Sequence, residues 1–205
     1  MNIETTSRLR GSADVWLDAA LDLLSGAGVE AVKVMPLARR LGLSRTGFYW
    51  HFRDREALLE AMITRWEDCN TGNLVARAGA YAETVCEAMF NLFDCWLDKT
   101  LFDAGLDLAI RNWARTDAAL QVRLDRADAR RMDAVRAMFL RFGYPAAEAE
   151  VRTMTVIYTQ IGYFSMQIDE DRARRPSRMP AYVEVFTGRA PSGRDIDRFL
   201  ARHPL

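Results

Sequence analysis

Apolar residues along this chain recur at intervals of three and four rather than two, and the elements they predict are helices. Behind Ser12, a residue suited to capping, Val15, Trp16, Ala19, Ala20, Leu23 and Leu24 fall on one face, and Gly26 and Gly28 stop the run. Residues 34–41 predict a short second helix with Leu37, Ala38 and Leu41 apolar, Pro36 in a first turn where a missing N–H is tolerated, and Gly42 at its end. Ser44 is placed to cap a third helix over residues 45–52, and Asp54 a fourth from 55 to about 70 with Leu58, Met62, Ile63 and Trp66 inward. Longer periodic segments follow at roughly 74–99, 103–116, 117–142 and 146–168, broken at Gly72, Gly79, Gly105 and Gly143-Tyr144-Pro145. The polar, proline-containing stretch 169–180 reads as a surface loop, ahead of two short helices near 181–187 and 193–202. Strand-type alternation is nowhere sustained, so the predicted fold class is all-α, with one helical domain over 10–70 and a second over 71–205.

Composition narrows the class without naming a function. Half of the 205 residues are apolar, 27% are charged, and Gly and Pro number 12 and 6, which excludes disordered and collagen-like chains. The 28 basic and 28 acidic residues cancel, so any charged partner has to be met by a local patch rather than a global field. Cys69, Cys86 and Cys95 are an odd number without C-x-x-C spacing, which points to reduced thiols and away from a disulfide scaffold or a zinc site. The longest uncharged run, residues 153–168, is shorter than a membrane span requires. Arg8 and Arg10 have no apolar stretch behind them, so no secretory signal is expected and the expected location is cytoplasmic, away from the membrane.

The informative stretch is residues 34–55, VMPLARRLGLSRTGFYWHFRDR: a short helix, a Gly42-Leu43-Ser44 turn and a second short helix, the grammar of a helix-turn-helix. Phe48 and Phe52 are four apart and face inward with Leu37 and Leu41, which turns Arg45, Thr46, Tyr49 and Trp50 outward together. Aromatic side chains held in water beside arginine gain nothing in isolation, whereas phosphates and base edges offer each of them a partner. Between residues 31 and 55 six basic residues (Lys33, Arg39, Arg40, Arg45, Arg53 and Arg55) stand against Asp54 alone, a formal +5 that the rest of the chain compensates. A basic segment inside a neutral protein is the electrostatic footprint of a DNA reader whose other part does something else.

These residues carry a family resemblance. The order of an apolar first helix, Gly26-Ala27-Gly28, Leu37-Ala38, Leu41-Gly42-Leu43-Ser44, Phe48-Tyr49-Trp50-His51-Phe52, Asp54 and Glu56-Ala57-Leu58-Leu59 resembles the tetracycline-repressor (TetR) type of bacterial transcription regulators over about residues 12–65. The resemblance implies a helix, beginning at Ser44, that lies in the major groove of double-stranded operator DNA. Arg45 and Thr46 would then approach base edges, Tyr49 and His51 would hold phosphates, and Trp50 would do either. It also matches Arg55 to a basic position that contacts the DNA backbone. Two residues depart from the pattern. Lys33 stands where the family has a Thr or Ser cap, and would reach a phosphate instead. Gly47 forfeits a side-chain contact in the recognition helix, or else permits close approach of the backbone.

Beyond residue 70 the resemblance extends only to length and helical character. It implies a C-terminal domain for effector binding and homodimer formation, with a largely apolar small-molecule pocket drawn from Phe90, Phe93, Trp96, Trp113, Met138 and Tyr158. Asn91, Arg111, Asn112 and Gln160 are further candidates for polar anchors. Residues 153–168 are uncharged around the whole circumference of a helix. Two readings follow: a dimer interface built on Ile157, Ile161, Gly162 and Ser165, or a central helix buried within one subunit.

Rival chemistries find little support. Gly26 to Ala31 matches G-x-G-x-x-A, but follows a helix rather than a strand, so it lacks the context of a dinucleotide fingerprint. His51 and His203 have no ligand at metal spacing and no nucleophile motif to serve, which leaves no expected metal, cofactor or catalytic site; His203 reads as a frayed tail. The expected function is that of a ligand-responsive repressor on a palindromic operator. The alternatives are an activator of the same fold, a helical small-molecule carrier, and a protein-interaction module using the outward aromatics.

Overall fold

The computed structural model describes residues 11–168 and 174–203. Helices account for the secondary structure of the described residues, which form two compact units. The first comprises the chain up to Asp68 together with Gly105–Leu124, and the second Cys69–Ala104 with Asp125 onward. Gly105–Leu124, predicted for the second domain from its place in the sequence, therefore belongs to the first unit.

In the first unit α1 (Ala13–Ala27), α2 (Val34–Leu41), α3 (Arg45–Tyr49) and α4 (Arg55–Trp66) follow the predicted order. Their boundaries have local causes. Ser12 accepts from the Val15 N–H, Ser44 from the Gly47 N–H at 3.0 Å, and Asp54 from the Ala57 N–H at 2.8 Å. Gly42, at φ +63°, closes α2 in the left-handed conformation that a side chain would resist. Lys33 precedes α2 with no side-chain cap. The helix α3 ends at Tyr49, three residues short of its predicted end, and a turn at Trp50-His51 leads into α4.

Trp16, Leu24, Leu37, Phe48, Leu58, Met62 and Trp66 are fully buried, and Trp16 meets Phe48 edge-on at 5.4 Å. Each such side chain contributes about 1.5–3 kcal/mol by leaving water. Gly105–Leu124 brings in α7 (Ala104–Ala114) and the start of α8 (Ala118–Arg141). Arg123 there grips Glu67 through two hydrogen bonds, of 2.9 and 2.6 Å, and reaches Glu60 at 2.6 Å, which pushes its own pKa up.

The second unit is built around α6 (Val85–Leu97), whose residues from Val85 to Trp96 are buried apart from Glu87. It packs on α5 (Asn73–Gly79), α10 (Arg174–Thr187) and α11 (Gly193–Arg202). Phe90 stacks on Phe199 at 4.6 Å, and α8 and α9 (Ala146–Ser165) add Val135, Met138, Phe139, Val156 and Ile157 to the core. Between α4 and α5 the chain winds through a π-helical segment, Glu67–Gly72, in place of the predicted straight run.

Two expectations are corrected here. The predicted loop 169–180 is helical from Arg174, residues 169–173 lying outside the described ones. Burial of Met179, Val183 and Phe186 on one face of α10 outweighs the local cost of Pro180. His203 is no frayed tail: its Nε2 lies 2.7 Å from Oδ1 of the buried Asp94, which also receives Arg77 and Arg202. No helix among the described residues is long and apolar enough to cross a membrane.

Candidate nucleic-acid interface

The turn between α2 and α3 is set by Gly42 and Ser44, and it points α3 by burying one side of it. Gly47 and Phe48 face the core, and Phe48 stacks on Phe52 at 5.5 Å. The opposite side carries Arg45, Thr46, Tyr49 and Trp50, all exposed, with Tyr49 at 45% and Trp50 at 61%. Gly47, one of the expected contact residues, is buried.

Arg45 and Tyr49 act as a pair one helical turn apart. The Arg45 Nη2 donates to the Tyr49 hydroxyl at 3.2 Å and its guanidinium lies 5.5 Å from the ring centre. This fixes an exposed arginine in one direction before any partner arrives, lowering the entropy that binding has to remove. His51 Nε2 donates to the Gly11 carbonyl at 2.9 Å, fastening the start of the described chain onto the end of the turn. Gly11 has φ +67°, and a Cβ there would lie 2.7 Å from Leu43, so this close approach requires glycine. Nothing in the sequence pattern pointed to Gly11, because its partners are 32 and 40 residues away.

Arg55 departs from its expected role. Its Nε donates to the Val32 carbonyl at 2.6 Å and its Nη2 to the Val29 carbonyl at 2.9 Å. Through these two bonds the guanidinium holds the chain before α2 against the start of α4. Lys33 is exposed beside it. Arg53 and Asp54 pair at 2.7 Å, and the Arg53 guanidinium, with the Ala57 N–H, holds the Asp54 carboxyl below the usual carboxylate range.

Residues 17–62 match the sequence profile of "Bacterial regulatory proteins, tetR family". The chain is 32% identical over 152 residues to the tetracycline repressor protein class A from transposon 1721 of Escherichia coli, an alignment covering 70% of this chain and 61% of that protein. It is 44% identical over 43 residues to the class C tetracycline repressor of Escherichia coli, covering 21% of this chain and 20% of that one. Residues 17–62 are therefore similar to the N-terminal region of TetR-family regulators. The chain spans about three-fifths of the first of these relatives, and the shorter match falls to a fifth. Solved structures share the fold at low identity. GusR of Salmonella enterica has a TM-score of 0.63 at 17% identity, covering 92% of this chain and 97% of that one. A transcriptional regulator from Rhodococcus sp. Rha1 has 0.61 at 20%, covering 94% and 97%.

The residues that the TetR resemblance suggested for an effector pocket do not converge. Phe90, Phe93, Trp96 and Met138 pack in the core of the second unit, Trp113 is buried in the first, and Tyr158 is 57% exposed on α9. The second unit instead has a crevice lined by Phe93, Thr159, Gln160, Tyr163, Met179 and Tyr182, and Oε1 of Gln160 is buried there without a hydrogen-bond partner among the described residues. Among the expected interface residues, Ile157 is buried and Ile161 packs against the same core, while Gly162 and Ser165 lie on the open side of α9.

Proposed function

We propose that this chain is a TetR-family, ligand-responsive transcription repressor that binds a palindromic operator as a homodimer. The observation that carries this reading is the outward face of α3, where Arg45, Thr46, Tyr49 and Trp50 stand exposed on a helix whose start is fixed by the Gly42 turn and the Ser44 cap. Arginine suits bidentate contact with guanine, threonine offers a hydroxyl and a methyl to base edges, and the tyrosine hydroxyl suits a phosphate. The names of the class A and class C relatives support repression as the direction of control.

The open side of α9 supports the homodimer reading. Val151, Thr155, Tyr158, Gly162 and Ser165 recur at four, three, four and three residues along its open side, and a Cβ built on Gly162 meets nothing within 4 Å. A stripe of that spacing, with Val151 at 60% and Tyr158 at 57% exposure, suits the same stripe of a second copy. Two recognition helices held about 34–36 Å apart enter successive major grooves on one face of the duplex.

The crevice at Gln160 supplies an effector site whose unmet acceptor asks for an O–H or N–H donor flanked by aromatic rings. At about 20 Å³ it admits a water rather than a metabolite. An effector therefore has to part α9 from α10 to enter, and its preference for the parted state is the free energy available to weaken DNA binding. Selection from a random duplex pool, followed by salt titration of the enriched site against scrambled DNA, tests the function. Enrichment of a palindrome with a steep salt dependence is expected. No enrichment, with or without metabolite extract, rejects the reading in favour of a carrier or a protein-binding module.

A further inference from the structure

The second unit carries a polar basin that the regulatory reading does not use. It lies at the head of α9, has a volume of about 180 Å³, and is lined by Gly143, Tyr144, Pro145, Glu148, Arg152, Thr187, Gly188 and Arg189. Tyr144 is its floor. The tyrosine is buried, and its hydroxyl donates to the Thr187 carbonyl, which fixes the ring. Two guanidinium groups lie over that ring, Arg152 at 5.3 Å from its centre and Arg189 at 5.0 Å.

The two arginines differ in what they already hold. Arg152 is anchored, donating from Nε and Nη2 to Oε1 of Glu148 and from Nη1 to the Phe186 carbonyl at 2.8 Å, with further N–H groups left over. Its Nη2 would lie 2.6 Å from a Cβ at position 188, so it occupies space that exists only because that residue is glycine, at φ +69°. Arg189 is exposed, and among the described residues its guanidinium has the Tyr144 ring but neither a carboxylate nor a carbonyl. Glu148 neutralises one of the two charges, leaving an excess of one positive charge at the basin.

A third element adds donors. The 20-residue helix α9 begins behind Pro145 with no side-chain cap, so the N–H groups of its first turn are exposed beside the basin. Two forked cations and an uncapped helix start at one basin supply N–H donors for several oxygens of one oxyanion, more than a halide or a carboxylate can use.

We propose that this basin binds a phosphoryl group, either as inorganic phosphate or on a small phosphorylated metabolite, with Arg189 as its principal ligand and Arg152 as the pre-positioned second. The proposal is independent of DNA recognition, since every residue it uses belongs to the second unit.

Calorimetric titration of the full chain with inorganic phosphate, against sodium chloride at matched ionic strength, tests the site. Saturable binding in the millimolar range is expected with phosphate alone. Arg189→Met should weaken it at least tenfold, whereas Arg136→Met, which removes one exposed charge from α8, should leave it within twofold. Equal titration of the wild type and Arg189→Met, or identical heats from phosphate and chloride, overturns the proposal. Amide shifts of the wild-type chain give a reading that needs no variant. Phosphate should move the resonances of Gly188, Arg189, Ala146 and Ala147, and shifts confined to residues 33–55 overturn it. Tighter binding of glycerol 3-phosphate than of inorganic phosphate identifies a metabolite as the natural source, and equal binding identifies the free ion.

Discussion

Trp66 and Asp107, 41 residues apart, meet in the first unit through a 2.8 Å hydrogen bond from the indole N–H to a carboxylate oxygen, and both side chains are buried. The other oxygen of Asp107 accepts from Arg111 at 2.9 Å. One carboxylate thus joins α4, which follows the recognition helix, to α7. Asp107→Ala leaves a buried N–H and a mostly buried guanidinium without this acceptor, and should cost about 2–4 kcal/mol. Urea denaturation measures this, and a midpoint unchanged from wild type would refute the assignment.

Arg55 is expected to matter for folding more than for contact. Arg55→Met removes two donors from the carbonyls of Val29 and Val32 and should lower stability by about 1.5–3 kcal/mol. The slope of operator affinity against salt should stay at the wild-type value, because no phosphate contact is lost. A slope reduced by about one unit would return Arg55 to the DNA.

In the proposed function Arg45 and Tyr49 divide base reading from positioning. Arg45→Ala should cost about 1–3 kcal/mol and relax preference at a single operator position, whereas Tyr49→Phe should weaken all sequences by a similar factor. Selection profiles of the two variants separate these outcomes, and matching profiles would contradict the division.

Gly162 tests the open face of α9. Among the described residues nothing lies within 4 Å of where its Cβ would be, so Gly162→Glu should leave the helical content intact while burying a charge at the proposed two-fold contact. Sedimentation should show monomers and operator binding should be lost. A dimer that survives Gly162→Glu and Tyr158→Glu together would move the interface elsewhere.

Burial pushes the Cys95 thiol up to about 12, and that of Cys86 up as well. Both should resist thiol reagents at neutral pH in the folded chain and react once it is unfolded. Linkage has a definite sign here. The stabilising preference for the neutral Cys95 thiol is complete below the unfolded value near 9, and fades as pH rises towards 12, because the unfolded chain releases its proton first. Denaturation midpoints from pH 8 to 11 should therefore fall, and fall less in Cys95→Ala after correction for its lower starting stability.

Much of the first unit was legible because its signals are local. Gly42, Ser44 and Asp54 each act within a few residues of themselves, and α2 begins and ends where its pattern predicts. What escaped is either non-local or lacks a polar phase. The clamp of Arg55 on carbonyls 23 and 26 residues back leaves no local trace. On α9 the uncharged circumference gives no polar side against which to set the phase. Ile157 and Tyr158, one residue and about 100° apart, thus exchange their expected places, the first turning into the core and the second outward. The start of α10 was hidden by two prolines and a run of charge, although its later residues hold Met179, Val183 and Phe186 at helical spacing.

Of the five tryptophans, Trp16, Trp66, Trp96 and Trp113 are buried and Trp50 alone is exposed, at the end of the recognition helix. The red edge of the chain's fluorescence therefore belongs to one indole, and iodide added to the solution dims that indole first. Emission collected there is an optical gauge of α3, readable without label or mutation when the proposed operator DNA is added.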